Sequence, residues 1–332
     1  MINLSTSYMG IPLKNPIIAG ASNMSADLNM LKRLELAGAA AVVFKSLFEE
    51  QIHLESVQME ESMYEIGDFN AEMTSLFPKL KHAGPNEYLA NLRKAKETLT
   101  IPVIASLNCI EDDTWIEYAR LIEKAGADGI ELNFFAIPRD TETDGRSIEE
   151  HQIELLKKVK SKITVPVSVK LSSLYTNPLN VITRMDNAGV NGVVVFNRLF
   201  EPDINTAEIK HFAPFNLSHE NDYRMSLRFA GLLFKRINAS ICANTGIYTG
   251  NDVVKMILAG ADCVQVVSTL YKNKPEYIAT ILSDIENWMK NAGYTSAEEF
   301  RGKLAQVSVK DPFIYKRAQY IDLILSSEKL FR

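Results

Sequence analysis

Four short stretches decide the fold: Ala37-Gly38-Ala39, Ala125-Gly126-Ala127, Ala188-Gly189-Val190 and Ala259-Gly260-Ala261. Each closes an amphipathic helical pattern and leads at once into an apolar, β-branched run. Those runs are Ala41-Val42-Val43-Phe44, Gly129-Ile130-Glu131-Leu132, Gly192-Val193-Val194-Val195 and Cys263-Val264-Gln265-Val266. The glycine stops the helix, and its small neighbours let helix and strand pack closely. Successive copies lie about 60–90 residues apart, roughly twice the length of one βα unit, so a further strand belongs in each gap. Ile101-Pro102-Val103-Ile104-Ala105, Val165-Pro166-Val167-Ser168-Val169 and Ala239-Ser240-Ile241-Cys242-Ala243 fill those gaps, and Asn15-Pro16-Ile17-Ile18-Ala19 precedes them all. The pattern predicts an α/β fold, a (β/α)8 TIM barrel. Its chemistry belongs at the C-terminal ends of the strands.

Composition sets bounds on this reading. With 332 residues, 46% of them apolar, the chain can bury one large core, and a single barrel domain over residues 1–332 is expected. A net charge of −5 gives no reason to expect nucleic-acid binding. Cys109, Cys242 and Cys263 show no metal-ligand spacing and read as packed thiols of a reducing cytoplasm. No run of about 18 apolar residues and no basic-flanked leader is present, so neither a membrane span nor processing is expected.

Residues 1–14 read as a hairpin around Met9-Gly10-Ile11-Pro12 that closes the bottom of the barrel. Three segments are too long for plain βα connections: 47–100, with a polar, Met-rich stretch (Gln58 to Tyr64) before a helix starting near Asn86; Phe134 to Ser147; and Arg198 to Asp222. Insertions at strand ends commonly cover a substrate.

Polar residues terminate the apolar strands. Strand two ends in Lys45-Ser46, strand three in Ser106 and Asn108, strand four in Asn133, strand five in Lys170 and strand six in Asn197. Strand seven runs into Asn244-Thr245-Gly246 and strand eight into Ser268-Thr269. The five histidines fall in insertions or helices, and no carboxylate pair ends neighbouring strands, which leaves glycoside hydrolysis unsupported. Lysines can neutralise an anionic ring, and amides offer a flat heterocycle both donors and acceptors. The loops after strands seven and eight are the usual phosphate site of this fold. A flat phosphorylated cofactor, FMN, suits both halves of the mouth.

At these positions the chain resembles the dihydroorotate dehydrogenases. The resemblance runs from Asn15-Pro16 through Glu131-Leu132-Asn133, Val169-Lys170-Leu171 and Asn197. It continues through Asn244-Thr245-Gly246-Ile247-Tyr248-Thr249-Gly250-Asn251-Asp252 to Leu258-Ala259-Gly260-Ala261-Asp262-Cys263-Val264-Gln265-Val266. It implies FMN across the barrel mouth, with hydride leaving C6 of dihydroorotate for flavin N5 while a base takes the C5 proton. It also implies that Lys45 contacts flavin and substrate, that Lys170 stabilises the reduced anionic flavin, and that Asn133 and Asn197 hold the substrate. Lys45, Asn133 and Asn197 are thus the catalytic candidates. They double as cofactor contacts together with Asn108, with Ala21 and Ser22 passing over the isoalloxazine. Thr245, Gly246, Ser268 and Thr269 would hold the phosphate.

The chain departs from the family pattern in the substrate half. Asn133-Phe134-Phe135-Ala136-Ile137-Pro138 places Ala136 at the usual Cys or Ser base position and Pro138 where a second substrate-binding Asn is usual. Alanine can neither take nor give a proton. Arg198 replaces a small hydroxyl residue, and Val267 a glycine. Three readings stay open. One is a dihydroorotate dehydrogenase whose proton is handled by Ser46, by the Arg139-Asp140-Thr141 loop or by water. Another is an FMN oxidoreductase acting on a different small acid or heterocycle, for which Arg198 would suit a carboxylate. The third is a flavin-binding paralogue without turnover. By the resemblance the chain belongs to the soluble, class 1-like branch of the family, whose members use fumarate or, through a partner subunit, NAD. Members are often dimers, and the apolar segment Phe313 to Leu325 would pack on the barrel or on a second copy.

Overall fold

The apolar runs pair as parallel strands that close on themselves, and a short antiparallel hairpin caps one end. The structure, a computed structural model, describes residues 2–50, 52, 85–108, 111–134, 140–198, 201–316 and 318–326. The hairpin consists of β1 (Thr6–Tyr8) and β2 (Ile11–Leu13). Eight strands then form the barrel in cyclic order: β3 (Ile17–Ala19), β4 (Ala41–Phe48), β5 (Val103–Asn108), β6 (Gly129–Asn133), β7 (Val167–Leu171), β8 (Gly192–Val195), β11 (Ser240–Ala243) and β12 (Cys263–Val266). The two remaining strands, β9 (Asp203–Asn205) and β10 (Lys210–Phe212), pair antiparallel in the third insertion. This is the predicted (β/α)8 barrel.

Helices α1 (Leu28–Leu36), α2 (Pro85–Thr98), α3 (Asp112–Lys124), α4 (Gly145–Lys160), α5 (Pro178–Asn187), α6 (Arg224–Leu233) and α7 (Gly250–Ala259) follow the first seven barrel strands in turn. After β12 come α8 (Ser268–Asn273) and α9 (Tyr277–Ala292), and α10 (Ala318–Ser326) lies near the C-terminus. None of the described helices is long and apolar enough to cross a membrane.

The four glycine stops share one geometry. Gly38, Gly126, Gly189 and Gly260 all have positive φ, from 85° to 121°. In each, the following N–H reaches five residues back to a helix carbonyl: Ala39 to Leu34, Ala127 to Ile122, Val190 to Met185 and Ala261 to Met256, at 2.9–3.4 Å. That bond satisfies a carbonyl that the helix end would otherwise orphan, and it turns the chain directly into the next strand.

Three strands begin one residue after the prolines that the sequence reading included in them. Proline has no N–H to donate, but its carbonyl still accepts from a neighbouring strand. Val264 N donates to Pro16, Val42 N to Pro102 and Ile130 N to Pro166, at 2.9, 3.0 and 3.0 Å. β4 instead runs four residues past Phe44, because Leu47 and Phe48 continue to pair with Leu107 and Asn108 beyond a bulge. Lys45 and Ser46 therefore sit at an irregularity within the strand, a place where strands commonly re-aim side chains.

The hairpin closes the N-terminal end of the barrel. Tyr8 and Met9 are buried against Gly129 and Gly192, and a Cβ on Gly192 would lie 2.9 Å from both Met9 Cγ and Tyr8 Cε2. Inside the barrel lie Ile18, Val43, Ile104, Val194, Cys242 and Cys263, whereas Ile130, Leu132, Val169 and Val264 face the helices. Burial pushes the Cys263 thiol well above its ordinary pKa, so it is an unreactive packed group.

Of the insertions, the Met-rich stretch at 58–64 lies outside the described residues, and α2 begins at Pro85. The third insertion extends away as β9 and β10, then returns to the barrel mouth through Phe215 to Ser218. The C-terminal apolar segment touches α6 through Tyr315, whose carbonyl accepts from Arg228 at 3.1 Å, while Ile321, Leu323 and Leu325 are exposed.

Candidate active site

Strand alternation places the polar groups at the rim and a second polar layer beneath them. Side chains two residues apart on a strand point to the same side. On β6 this aligns Glu131 below Asn133, and on β7 Ser168 below Lys170. After β12 the same spacing sets Gln265 below Val267.

The rim encloses a cleft of about 580 Å³, lined by Lys45, Ser46, Asn108, Asn133, Lys170 and Asn197 together with Ala21, Ser22, Asn23, Phe48, Arg198, Phe215, Val267 and Tyr271. A narrower recess of about 140 Å³ adjoins it and adds Asn244, Thr245, Gly246, Ser218 and Ser268. Ala21, Lys170, Asn197, Arg198, Phe215 and Val267 border both, so the two spaces are continuous. Their combined size lies in the range of small-molecule and cofactor sites.

The amides are tied together. Asn197 Nδ2 donates to Asn133 Oδ1 at 2.8 Å, and Asn108 Nδ2 donates to the Asn133 carbonyl at 3.0 Å. Ser46 and Ser106 hydroxyls meet at 2.7 Å on the cleft floor. Burial lowers the pKa of the Lys45 ammonium, a cost that an anion in the cleft would offset. Neither Lys45 nor Lys170 lies within ion-pair distance of a carboxylate among the described residues.

Below the rim, Lys170 Nζ donates to Gln265 Oε1 at 3.4 Å, and Gln265 Nε2 donates to Glu131 Oε2 at 2.5 Å. Glu131 is fully buried, and its Oε1 has no hydrogen-bond partner among the described residues. Burial raises its pKa, against the lowering influence of Lys170 and Gln265.

The recess is built from glycine and hydroxyls. Gly246 has φ of +70°, and a Cβ there would lie 2.5 Å from Tyr223 N, so only glycine fits. Thr245 holds φ of +74°, uncommon for a β-branched residue, and its hydroxyl donates to Phe196 O at 3.0 Å. Such strain concentrates at functional sites. Gly246 N donates to Ser218 Oγ at 3.2 Å, and Ser218 Oγ lies 2.7 Å from Ser268 Oγ.

Of the residues singled out from sequence, Ala21, Ser22, Lys45, Asn108, Asn133, Lys170, Asn197, Thr245, Gly246 and Ser268 all border this one space. Thr269 does not. Its buried hydroxyl donates to Tyr248 O at 3.1 Å and accepts from Asn273 at 3.2 Å. Ala136, Pro138 and Arg139 lie outside the described residues. Val267 borders both compartments and packs on Gly20, where a Cβ would come within 2.8 Å of Val267 Cγ2.

Sequence reasoning passed over Glu131 and Gln265 as site residues. Their signal was a polar side chain inside an otherwise apolar strand, in step with the rim residue. Ser218 and Phe215 carried no signal, because they reach the mouth from a long irregular insertion.

The closed (β/α)8 barrel gathers three cations, several amides and a hydroxyl-lined recess at its mouth, a donor set whose chemistry suits a flat anionic ligand. The family model for dihydroorotate dehydrogenase matches residues 79–289, and the chain belongs to that family. The chain is similar to the dihydroorotate dehydrogenase B (NAD(+)) catalytic subunits of Pyrococcus abyssi and Methanocaldococcus jannaschii. The first is 28% identical over 92% of this chain and 100% of the relative, the second 26% over 89% and 96%. It is also similar to the dihydroorotate dehydrogenase A (fumarate) of Lactobacillus delbrueckii subsp. bulgaricus, 24% identical over 82% of this chain and 90% of the relative.

Proposed function

We propose that this chain is an FMN-dependent dehydrogenase acting on a CH–CH bond, of the type that converts dihydroorotate to orotate. The observation that carries this reading is the continuity of the cationic, amide-lined cleft with the glycine and hydroxyl recess. Those donor sets fit the two ends of FMN, a ring that becomes anionic on reduction and a phosphate. When bound, FMN supplies the two-electron acceptor.

The chain's own residues do the rest. Lys170 would offer a cation to the anionic edge of the ring, and Lys45 would contact both ring and substrate. Paired to each other, Asn133 and Asn197 present their remaining amide groups to a planar substrate. Gly246, Ser218 and Ser268 would hold the phosphate by exchanging their mutual hydrogen bonds for bonds to its oxygens. A proton leaving the substrate needs an acceptor, and Ser46, backed by Ser106, is the hydroxyl on the cleft floor.

Ala136 and Pro138 in the sequence, with Arg198 on the cleft wall, favour a second reading on the same scaffold, an FMN oxidoreductase for a different small acid or heterocycle. The absorbance spectrum of the purified protein tests the cofactor, and anaerobic mixing with dihydroorotate tests the substrate. Flavin colour that dihydroorotate bleaches supports the first reading, and colour that it leaves untouched refutes it. Colourless protein that takes up no added FMN refutes both.

A further inference from the structure

We infer that Arg198, aimed by Asp222, is an anion anchor that makes this cleft select a small substrate bearing a carboxylate over its uncharged counterpart. The inference rests on reading the cleft as the substrate site of a family dehydrogenase. Arg198 follows directly after Asn197, and both side chains border the wide part of the cleft.

The third insertion holds the guanidinium by two of its three nitrogens. Nη1 bonds Asp222 Oδ2 at 2.8 Å and Nε bonds the Asn216 carbonyl at 3.2 Å, while no described residue offers an acceptor to Nη2. Asp222 is itself fixed, because the same carboxylate oxygen accepts the His219 N–H at 2.8 Å. A guanidinium is planar and rich in donors matched to a carboxylate, and fixing Nε and Nη1 leaves Nη2 to a ligand at little further cost in side-chain entropy. Ordinary surface ion pairs gain little. This one differs in its place. The pair stands at the junction of the two compartments, on a wall that no described carboxylate lines. With Lys170 given to the ring edge and backbone and hydroxyl groups to the phosphate, Arg198 joins Lys45 as a cation beside the paired amides of Asn133 and Asn197, and it is the one held by the third insertion.

Orotate and uracil test this, since the two rings differ by one carboxylate. Their affinities would be measured by calorimetry on the purified protein and on Arg198→Gln, Arg198→Lys and Asp222→Asn, alongside the FMN content of each. The wild type should prefer orotate. Arg198→Gln should weaken orotate by about tenfold to hundredfold and leave uracil and FMN content unchanged, the loss expected for one charge-assisted contact. Arg198→Lys, which keeps the charge without the planar guanidinium, should fall between. Asp222→Asn should reduce the ratio of orotate to uracil affinity without moving uracil, a change that mere loss of packing would not produce. Equal loss of both probes, a wild type without preference for orotate, or loss of FMN with the ratio intact would overturn the inference, the last by assigning Arg198 to the cofactor phosphate. A wild type that takes up no FMN would refute the proposed function on its own, and the affinity ratio would still decide the role of Arg198.

Discussion

Lys170 reaches the cleft with its ammonium held 3.4 Å from Gln265 Oε1, and the other face of the same amide is committed to Glu131. The amide can serve both neighbours in one orientation only, carbonyl toward the cation and NH2 toward the carboxylate. The barrel interior thereby aims Lys170. Lys170→Ala should weaken FMN binding by about tenfold to hundredfold, the worth of a charge-assisted hydrogen bond. Fluorescence of free flavin during titration of the stripped protein measures it, and unchanged affinity would reduce Lys170 to a strand terminus.

Glu131 makes its own prediction. Its folded pKa is raised by burial, so between the ordinary glutamate value and the raised one the folded state binds more protons than the unfolded state. Stability contributed below the ordinary value is then lost as pH rises through the raised one, at about 1.4 kcal/mol per pH unit at the steepest. Glu131→Gln should flatten this part of the profile while keeping the hydrogen bond to Gln265. Urea unfolding of both proteins from acid to alkaline pH checks the sign, and parallel profiles would contradict it.

Most of the barrel was legible because its signals are local. A glycine that needs positive φ followed by a β-branched run is a helix stop and a strand start within a few residues, and rim residues such as Asn108 and Asn133 end their strands in the sequence itself. Lys45 was legible in type but not in placement, since the bulge that carries it depends on pairing with β5. Ser218 and Phe215 could not be read at all. They reach the recess through the return path of an insertion, which no periodicity encodes. Thr269 shows the reverse case, a hydroxyl in the right sequence position that the start of α8 turns into the protein.

The repeated glycine stops should differ in cost when filled. At Gly126 a Cβ would meet nothing within 4 Å, so Gly126→Ala carries only the strain of its left-handed backbone. That strain is about 1–2 kcal/mol. At Gly260 a Cβ would lie 2.6 Å from Phe234 Cβ and 2.7 Å from its ring, so Gly260→Ala adds overpacking. The addition should be about 1–3 kcal/mol. Denaturant midpoints of the two variants decide it, and equal losses would show that Phe234 yields freely.

By the resemblance, the chain departs from the family pattern at the proton acceptor. General-base help contributes about 10²–10⁴-fold, so with Ala136 at the usual base position dihydroorotate should bleach the flavin slowly. Ala136→Cys and Ala136→Ser should then raise the anaerobic bleaching rate at saturating dihydroorotate, measured by stopped flow beside the wild type. A fast wild type would mean that another group already takes the proton. Ser46 is then the first to remove, because its hydroxyl borders the cleft and meets Ser106 at 2.7 Å, a contact through which a proton can pass inward. Ser46→Ala should in that case slow bleaching by a comparable factor while leaving FMN bound. If bleaching is absent in the wild type and in both Ala136 variants although FMN is present, the substrate is a different acid, and the acid preference of Arg198 becomes the guide to it.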